Sequence, residues 1–139
     1  MIHLTPDLSF ALRANDINRR AAARDEKPEP DPVPVLKLFN PVGAATWVAT
    51  ELYDDGDTLF GLADLGFGCP ELGVFSLSEI ASVRLSFGLG IERDLSFVSI
   101  HPISAWTAAA QLAGSIQAAE QILRRTARPS RNELPPTGG

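Results

Sequence analysis

The sequence predicts an α+β fold in a single domain: a mainly antiparallel sheet of four to five strands covered by helices, with a long C-terminal helix. Strand-like segments follow one another through hairpin-length turns, and such short connections join antiparallel neighbours. Helical patterns lie near both ends of the chain, and we expect the helices to cover one face of the sheet. At 139 residues with 45% hydrophobic side chains, the chain has the size of one domain with a closed core.

An N-terminal helix is predicted within residues 1–24. The tripeptide Thr-Pro-Asp that begins at Thr5 suits a helix start, because threonine accepts from free amides, proline fits the first turn and an acid complements the dipole. Apolar side chains recur at helical spacing only in the first two turns, so residues 15–24 are expected to be solvated or to fray. Residues 25–34 alternate proline with charge and predict an extended linker rather than a docking peptide for a proline-reading groove.

The α+β core domain is predicted in residues 35–126, followed by a disordered tail in residues 127–139. Its clearest strand by composition is 46–53, and a turn rich in aspartate and glycine leads into the next strand, 58–65. Apolar side chains fill both faces of this second strand, as in a central strand that is buried on both sides. Shorter strands are predicted at 35–39, 74–75 and 91–98, a short helix at 77–85, and the long helix at 104–125.

The net charge of −5 is unevenly distributed along the chain. Residues 33–100 carry three basic and nine acidic side chains, a net charge of −6. Because such a surface repels phosphate backbones, we expect no direct nucleic-acid binding by the core. The apolar runs are far shorter than a membrane-spanning helix, the N-terminus lacks a secretory pattern, and the one cysteine cannot form an internal disulfide. These features predict a cytoplasmic protein without membrane contact.

Candidate functional residues are concentrated in residues 60–79, where a buried strand leads through a glycine-rich loop into a capped helix. Asp64 ends the buried strand, and a buried carboxylate is costly unless it is paired. We expect it to meet Arg93, which is the misfit on another apolar strand face, or one of the two to meet Glu51 or Glu71. Alternatively, the carboxylates clamp the loop by accepting hydrogen bonds from its backbone amides.

The same carboxylates could carry chemistry if they converge. Asp64, Glu71 and Glu51 could then act in acid/base catalysis or bind Mg²⁺ or Ca²⁺, with Asp64 and Glu71 as the weak candidates for a metal. No catalytic residue and no cofactor is assigned, because no histidine is near in sequence and the glycines match no complete phosphate-binding fingerprint. Cys69 is expected to be a buried or half-buried thiol, since neighbouring carboxylates do not activate it.

Three segments resemble a family of bacterial proteins of unknown function that is carried largely on conjugative plasmids and integrative elements. The segments are TWVATELY, FGLADLGFGCPELGVFSLSEI and GLGIERDLSF, and with a preceding K-L-F strand the resemblance covers about residues 33–97. It implies an intracellular accessory protein of bacterial or mobile genomes and supplies no activity. It singles out Lys37, Thr46, Trp47, Thr50, Glu51, Asp64, Glu71, Glu92, Arg93 and Asp94.

These observations predict a small cytoplasmic protein-binding or adaptor module whose polar surface recognises another protein. That surface consists of Glu51, Asp64, Glu71, Glu92, Arg93 and Asp94. In one variant, the acidic segment imitates nucleic acid and occupies a DNA-handling protein. The alternative is a metal-assisted hydrolase that uses Asp64, Glu71 and Glu51. A hydrolase requires these carboxylates to converge in a concave pocket, whereas a binding module spreads them over a surface or locks them with Arg93.

Overall fold

A computed structural model describes residues 2–127, which form a five-stranded antiparallel sheet with packed helices. The strands are β1 (Leu36–Phe39), β2 (Thr46–Leu52), β3 (Thr58–Asp64), β4 (Glu71–Ser76) and β5 (Glu92–Arg93). The helices are α1 (Pro6–Arg24), α2 (Leu77–Ala81), α3 (Ile103–Ala113) and α4 (Ile116–Ala127), with a 3-10 turn at Ser86–Gly88. The strand order is β4-β3-β2-β1-β5. The predicted α+β class is therefore confirmed.

Helices cover both faces of the sheet, so the expectation of one covered face is wrong. On one face, Leu12 of α1 packs among side chains of β1 and β3 that include Leu38 and Leu59. On the other face, Val48 of β2 packs against Trp106 of α3 and its neighbours in α4. All seven residues of β2 are buried. Because side chains alternate between the two faces of a strand, a fully buried central strand requires a helical layer on each side.

The predicted long C-terminal helix is present as two helices. α3 ends at Gly114, whose φ of 84° lies in the left-handed region that favours glycine as a helix C-cap. The chain restarts at once, with the Ser115 hydroxyl accepting from the amide of Ala118. Ala110 and Ile116 pack into the same core on either side of this break, which explains why the apolar stripe is typical of one continuous helix. The predicted tail lies outside the described residues, apart from residue 127 at the end of α4.

The two outer strands differ in length from their predictions. β5 has only two residues, because the chain turns at Asp94, whose carboxylate accepts from the amide and the hydroxyl of Ser96 at 3.0 and 3.1 Å. β4 extends over six residues although Gly73 interrupts its pattern of side chains. Its length is set by pairing with six residues of β3, from Thr58 opposite Ser76 to Ala63 opposite Glu71.

Gly61 of β3 provides a test of this packing. An alanine Cβ there would collide with the carbonyl oxygen of Val48 and lie 2.7 Å from the Cα of Ala49. We therefore expect Gly61→Ala to lower the free energy of unfolding by about 3 kcal/mol, at the upper end of overpacking effects. Urea denaturation monitored by circular dichroism measures this change.

Gly73→Ala on the adjacent strand is the matched control, because a Cβ at Gly73 has no neighbour within 4 Å. Its effect on the free energy of unfolding should stay within about 0.5 kcal/mol. Equal losses in the two variants would contradict the pairing of β2 with β3.

Candidate functional site

Glu51 lies buried beneath the second half of α1. The Nε of Arg19 donates to its Oε1 and Oε2 atoms at 2.8 and 3.0 Å. Beside this pair, the side-chain amide of Asn15 donates to the carbonyl oxygen of Thr50 at 2.9 Å. The expectation that residues 15–24 fray is therefore wrong, because this half of α1 is attached to β2 by polar groups rather than by an apolar stripe.

Asp16 is a second buried carboxylate in the same layer, with 1% of its surface exposed. It accepts from Arg13 at 2.6 Å, from Arg20 at 3.0 Å and from Arg19 at 3.3 Å. Arg13 also donates to the carbonyl oxygen of Leu52 at 2.7 Å. The sequence does carry a signal for this cluster: on the predicted helix, one arginine precedes Asp16 by three residues, and two arginines follow it by three and four residues. Sequence reasoning missed the cluster because the same spacing is equally typical of a helix face exposed to solvent.

Burial raises the pKa of the Glu51 carboxyl above its ordinary value of 4.5, although the hydrogen bond and charge of Arg19 act in the opposite direction. The same hydrogen bond raises the pKa of Arg19, which keeps its charge. The Arg20 guanidinium lies 5.0 Å from the centre of the Tyr53 ring, within cation–π range. Glu51 thus belongs to an internal ionic lock between α1 and β2.

Asp64 is 1% exposed and satisfies its charge with backbone amides. Its Oδ1 accepts from the amide of Gly66 at 2.9 Å, and its Oδ2 accepts from the amide of Ile116 at 2.9 Å. The first bond is the predicted clamp on the glycine-rich loop. The second places a negative charge at the N-terminus of α4, where it complements the helix dipole.

The expected pairing of Asp64 with Arg93 is wrong. Arg93 lies on β5, and the strand order places β2 and β1 between β3 and β5. Three strand spacings of roughly 4.8 Å separate the two backbones by about 14 Å. The sequence could not show this distance, because the order of strands in the sheet differs from their order in the chain.

Asp94 belongs to a different polar cluster. Lys37 lies 3.5 Å from Asp94 and 2.6 Å from Glu120 of α4. Burial raises the pKa of Asp94, but hydrogen bonds from Ser96 and the charge of Lys37 outweigh it, so this pKa lies below its ordinary value. Among residues 2–127, no ion pair involves the neighbouring Glu92 or Arg93.

The three carboxylates of the hydrolase hypothesis do not converge. Glu51 faces α1 near the end of β2, whereas Asp64 faces α4 and pairs with Thr46 at the start of β2. Five residues of strand separate these positions by about 17 Å. Glu71 pairs with Ala63, which packs on the α1 side of the sheet, so it points away from Asp64. Within residues 2–127, no group of three or more metal-binding side chains is present.

A groove of about 350 Å³ lies at β3 and β4, on the face of the sheet that α1 covers. Its buried and half-buried part is formed by Trp47, Ala63, Gly73 and Phe75. Exposed side chains of the loop after β3 form its wall, among them Phe67, of which 82% is exposed. Glu71 also lines the groove and is exposed.

The loop after β3 is shaped for this position by its glycines and by Asp64. Gly66 and Gly68 have φ values of 93° and 85°, in the left-handed region that other residues rarely adopt. The Gly66 amide is held by Asp64, as described above. Cys69 lies in the same loop and is exposed, so the expectation of a buried or half-buried thiol is wrong. The loop turns outward after Asp64 and carries the thiol with it.

Fold and site define a small domain in which one antiparallel sheet is held between helical layers by buried ionic anchors, with an apolar groove at one end of the sheet. The chain belongs to a family of proteins of unknown function, DUF2958, whose family model matches residues 4–117. This match confirms the predicted membership in a family of unknown function. Comparisons with curated proteins and with solved structures give no match. No helix within residues 2–127 is long and apolar enough to cross a membrane.

The Glu51–Arg19 lock predicts a pH-dependent loss of stability in Arg19→Met. Without Arg19, the buried carboxylate of Glu51 has lost its closest cation, so the free energy of unfolding at pH 7 should fall by about 3 kcal/mol. A carboxyl whose pKa is raised in the folded state binds its proton more tightly there, and its contribution to stability declines as the pH rises above 4.5. The variant should therefore lose clearly less stability at pH 4 than at pH 7 in urea denaturation.

Arg24→Met is the control for this experiment, because Arg24 is 74% exposed and forms only a 3.5 Å pair with Asp25. It should change the free energy of unfolding by less than about 0.5 kcal/mol at both pH values. Equal losses for Arg19→Met at pH 4 and pH 7 would show that Glu51 is not the group left without its partner.

The two hydrogen bonds that Asp64 accepts predict that its substitutions lower the free energy of unfolding by different amounts. Asp64→Ala leaves the amides of Gly66 and Ile116 without their acceptor, and the free energy of unfolding should fall by about 3 kcal/mol. Asp64→Asn keeps one acceptor oxygen, and its free energy of unfolding should fall by about 1 kcal/mol.

The melting temperature of the wild type should not change when Mg²⁺ or Mn²⁺ is added. A metal-dependent rise in melting temperature that disappears in Asp64→Asn would support the hydrolase instead.

Proposed function

We propose that this domain binds an extended segment of another protein, which adds to the sheet at the edge formed by β4 and places side chains in the adjoining groove. The observation that carries the proposal is the difference between the two edges of the sheet. Edge strands present unpaired backbone groups to solvent, and proteins normally block them with charges, prolines or very short strands.

The β5 edge has this protection over its whole length, whereas the β4 edge has a single charge at its first residue. β5 consists of two charged residues, Glu92 and Arg93. β4 has six residues, ELGVFS, in which Glu71 is the one charged side chain and no proline occurs. Its side chains Leu72 and Val74 are 44% and 60% exposed. A long apolar edge of this kind matches the mode in which an extended peptide adds a strand and is held by backbone hydrogen bonds.

The groove supplies the specificity that backbone hydrogen bonds lack. Glu71, Gly73 and Phe75 of β4 all line it, so it reaches from the sheet to the open edge. Gly73 leaves space at this border, since a Cβ there meets nothing within 4 Å. Alternate side chains of an added strand point to the same face of the sheet, and one of them could enter the groove beside Gly73.

The proposal keeps the predicted binding role and changes the surface that performs it. Glu51 and Asp64 satisfy internal partners, and Arg93 and its neighbours lie at the opposite edge. Of the predicted polar surface, Glu71 alone lines the groove. We extend the proposal to the setting that the sequence resemblance implies, an accessory protein of bacterial or mobile genomes in the cytoplasm. An accessory protein that acts by binding a partner fits this setting.

Two valines provide a matched test of strand addition. Peptides that bind the domain are selected from a displayed library of random dodecapeptides, and their affinities are measured by fluorescence anisotropy. Val74→Lys places a strongly hydrated charge on the β4 edge and should weaken binding at least tenfold. Val98→Lys is the same substitution in the loop after β5, where Val98 is 86% exposed, and should leave binding unchanged.

Three outcomes would overturn the proposal. These are a library that yields no binding peptide, equal effects of the two lysine substitutions, and loss of binding in Val98→Lys alone. The last result would move the interface to the β5 edge, close to the predicted polar residues Glu92, Arg93 and Asp94.

A further inference from the structure

We infer that the segment bound at the β4 edge is apolar in its middle and basic at both ends, an inference that rests on the proposed function. The argument starts from the charges of the chain on either side of β4. Between Leu38 and Val83, every charged side chain is acidic, and the nearest bases in sequence are Lys37 and Arg84. The acids are Glu51, Asp54, Asp55, Asp57, Asp64, Glu71 and Glu79. Of these, Glu51 and Asp64 are buried and have internal partners.

One carboxylate lies at the first residue of β4. Glu71 is exposed and lines the groove, and no ion pair within residues 2–127 involves it. Its surroundings in the groove are aromatic and aliphatic. A lysine or arginine of a bound strand would lay its apolar stem along this surface and its charge beside Glu71.

At the other end of β4, the last residue, Ser76, contacts the carboxylate of Asp57, and a further acid, Glu79, follows three residues later. The Ser76 hydroxyl donates to Asp57 Oδ2 at 2.6 Å, and the amide of Ser78 donates to Asp57 Oδ1 at 2.8 Å. These hydrogen bonds fix the Asp57 carboxylate at the end of the strand and lower its pKa, so that it is charged at neutral pH. Glu79 is exposed in the first turn of α2, where its amide is capped by Ser76.

The length of β4 sets the spacing of the bases in the partner. Glu71 and Ser76 are five residues apart, about 17 Å along a strand. A bound strand that spans the edge therefore carries a base at each end of a six-residue segment. Its middle residues lie beside Leu72 and Val74, where apolar or β-branched side chains fit best.

The same charges argue against a second copy of this chain as the occupant. In a two-fold antiparallel pairing of β4 with itself, the start of one strand lies beside the end of the other. Glu71 of each copy would then approach Asp57 and Glu79 of its partner copy, and like charges at these positions repel. A strand with basic ends turns both positions into attractive contacts.

The test uses four synthetic peptides with blocked termini, built on a Thr-Val-Thr-Val centre. Their end residues are Lys and Lys, Glu and Glu, Lys and Glu, or Glu and Lys. At low ionic strength, the peptide with two lysines should bind the wild-type domain at least tenfold more tightly than the peptide with two glutamates. Added salt should reduce this difference, because exposed charges are screened.

A pair of charge reversals in the protein locates the effect. In Glu71→Lys, one of the two mixed peptides should become the tightest binder, because one end of the edge is now positive. Glu92→Lys changes the net charge by the same amount at the opposite edge and should keep the wild-type order of affinities. Both residues are exposed, so the fold tolerates both changes.

The failures of the two proposals are distinguishable. Strand addition stands if Val74→Lys abolishes binding of the library peptides. The inference of basic ends is nevertheless wrong if the end charges of the synthetic peptides do not change their affinity, or if Glu71→Lys and Glu92→Lys have the same effect. If no peptide of either kind binds at β4, both proposals fail. Sedimentation that shows a dimer abolished by Val74→Lys would identify a second copy as the occupant and overturn the inference.

Discussion

The central strand β2 buries polar side chains as well as apolar ones, and the helices around it supply the partners that these side chains need. Thr50 and Glu51 are buried, as Val48 is. The apolar side chains on the two faces require cover on both sides, which α1 and the α3–α4 pair supply. The carboxylate of Glu51 requires a cation, and the second half of α1 supplies Arg19. The N-terminal helix is therefore an integral layer of the fold.

Asp64 provides the connection between this framework and the groove. One of its oxygens holds the loop that walls the groove, and the other caps the helix that covers the opposite face of the sheet. A buried carboxylate with two amide partners is a structural element, and a substitution there would disturb the groove and the α4 layer together. At the β4 edge, the charged groups that remain available to a partner belong to Glu71 at the start of the strand and to Asp57 and Glu79 near its end.

The sequence predicted those features that depend on neighbours along the chain. The glycine turns after β3, the hairpin between β2 and β3, the capped start of α2 and the need of Asp64 for a partner all follow from local chemistry. The clamp on Gly66, one of two alternatives for Asp64, is within reach of such reasoning because its partner is two residues away. The bond from Asp64 to Ile116 joins residues 52 positions apart and leaves no local pattern.

The features that sequence reasoning missed depend on the arrangement of the strands. Arginines of α1 that neutralise Glu51 and Asp16 have the same spacing as arginines on a solvated helix face. The edge position of β4, at which Leu72 and Val74 are exposed, follows only from the strand order. The candidate site therefore exists because the strand order leaves β4 at an edge of the sheet.

Amide hydrogen exchange of the domain with and without a library-selected peptide tests the central claim most directly, because it reads the backbone groups of β4 themselves. Strand addition predicts that amides within Glu71–Ser76 become more strongly protected when the peptide is bound, while the amides of Glu92 and Arg93 stay unchanged. Protection confined to the β5 edge, or binding that leaves every β4 amide as it was, would contradict the account.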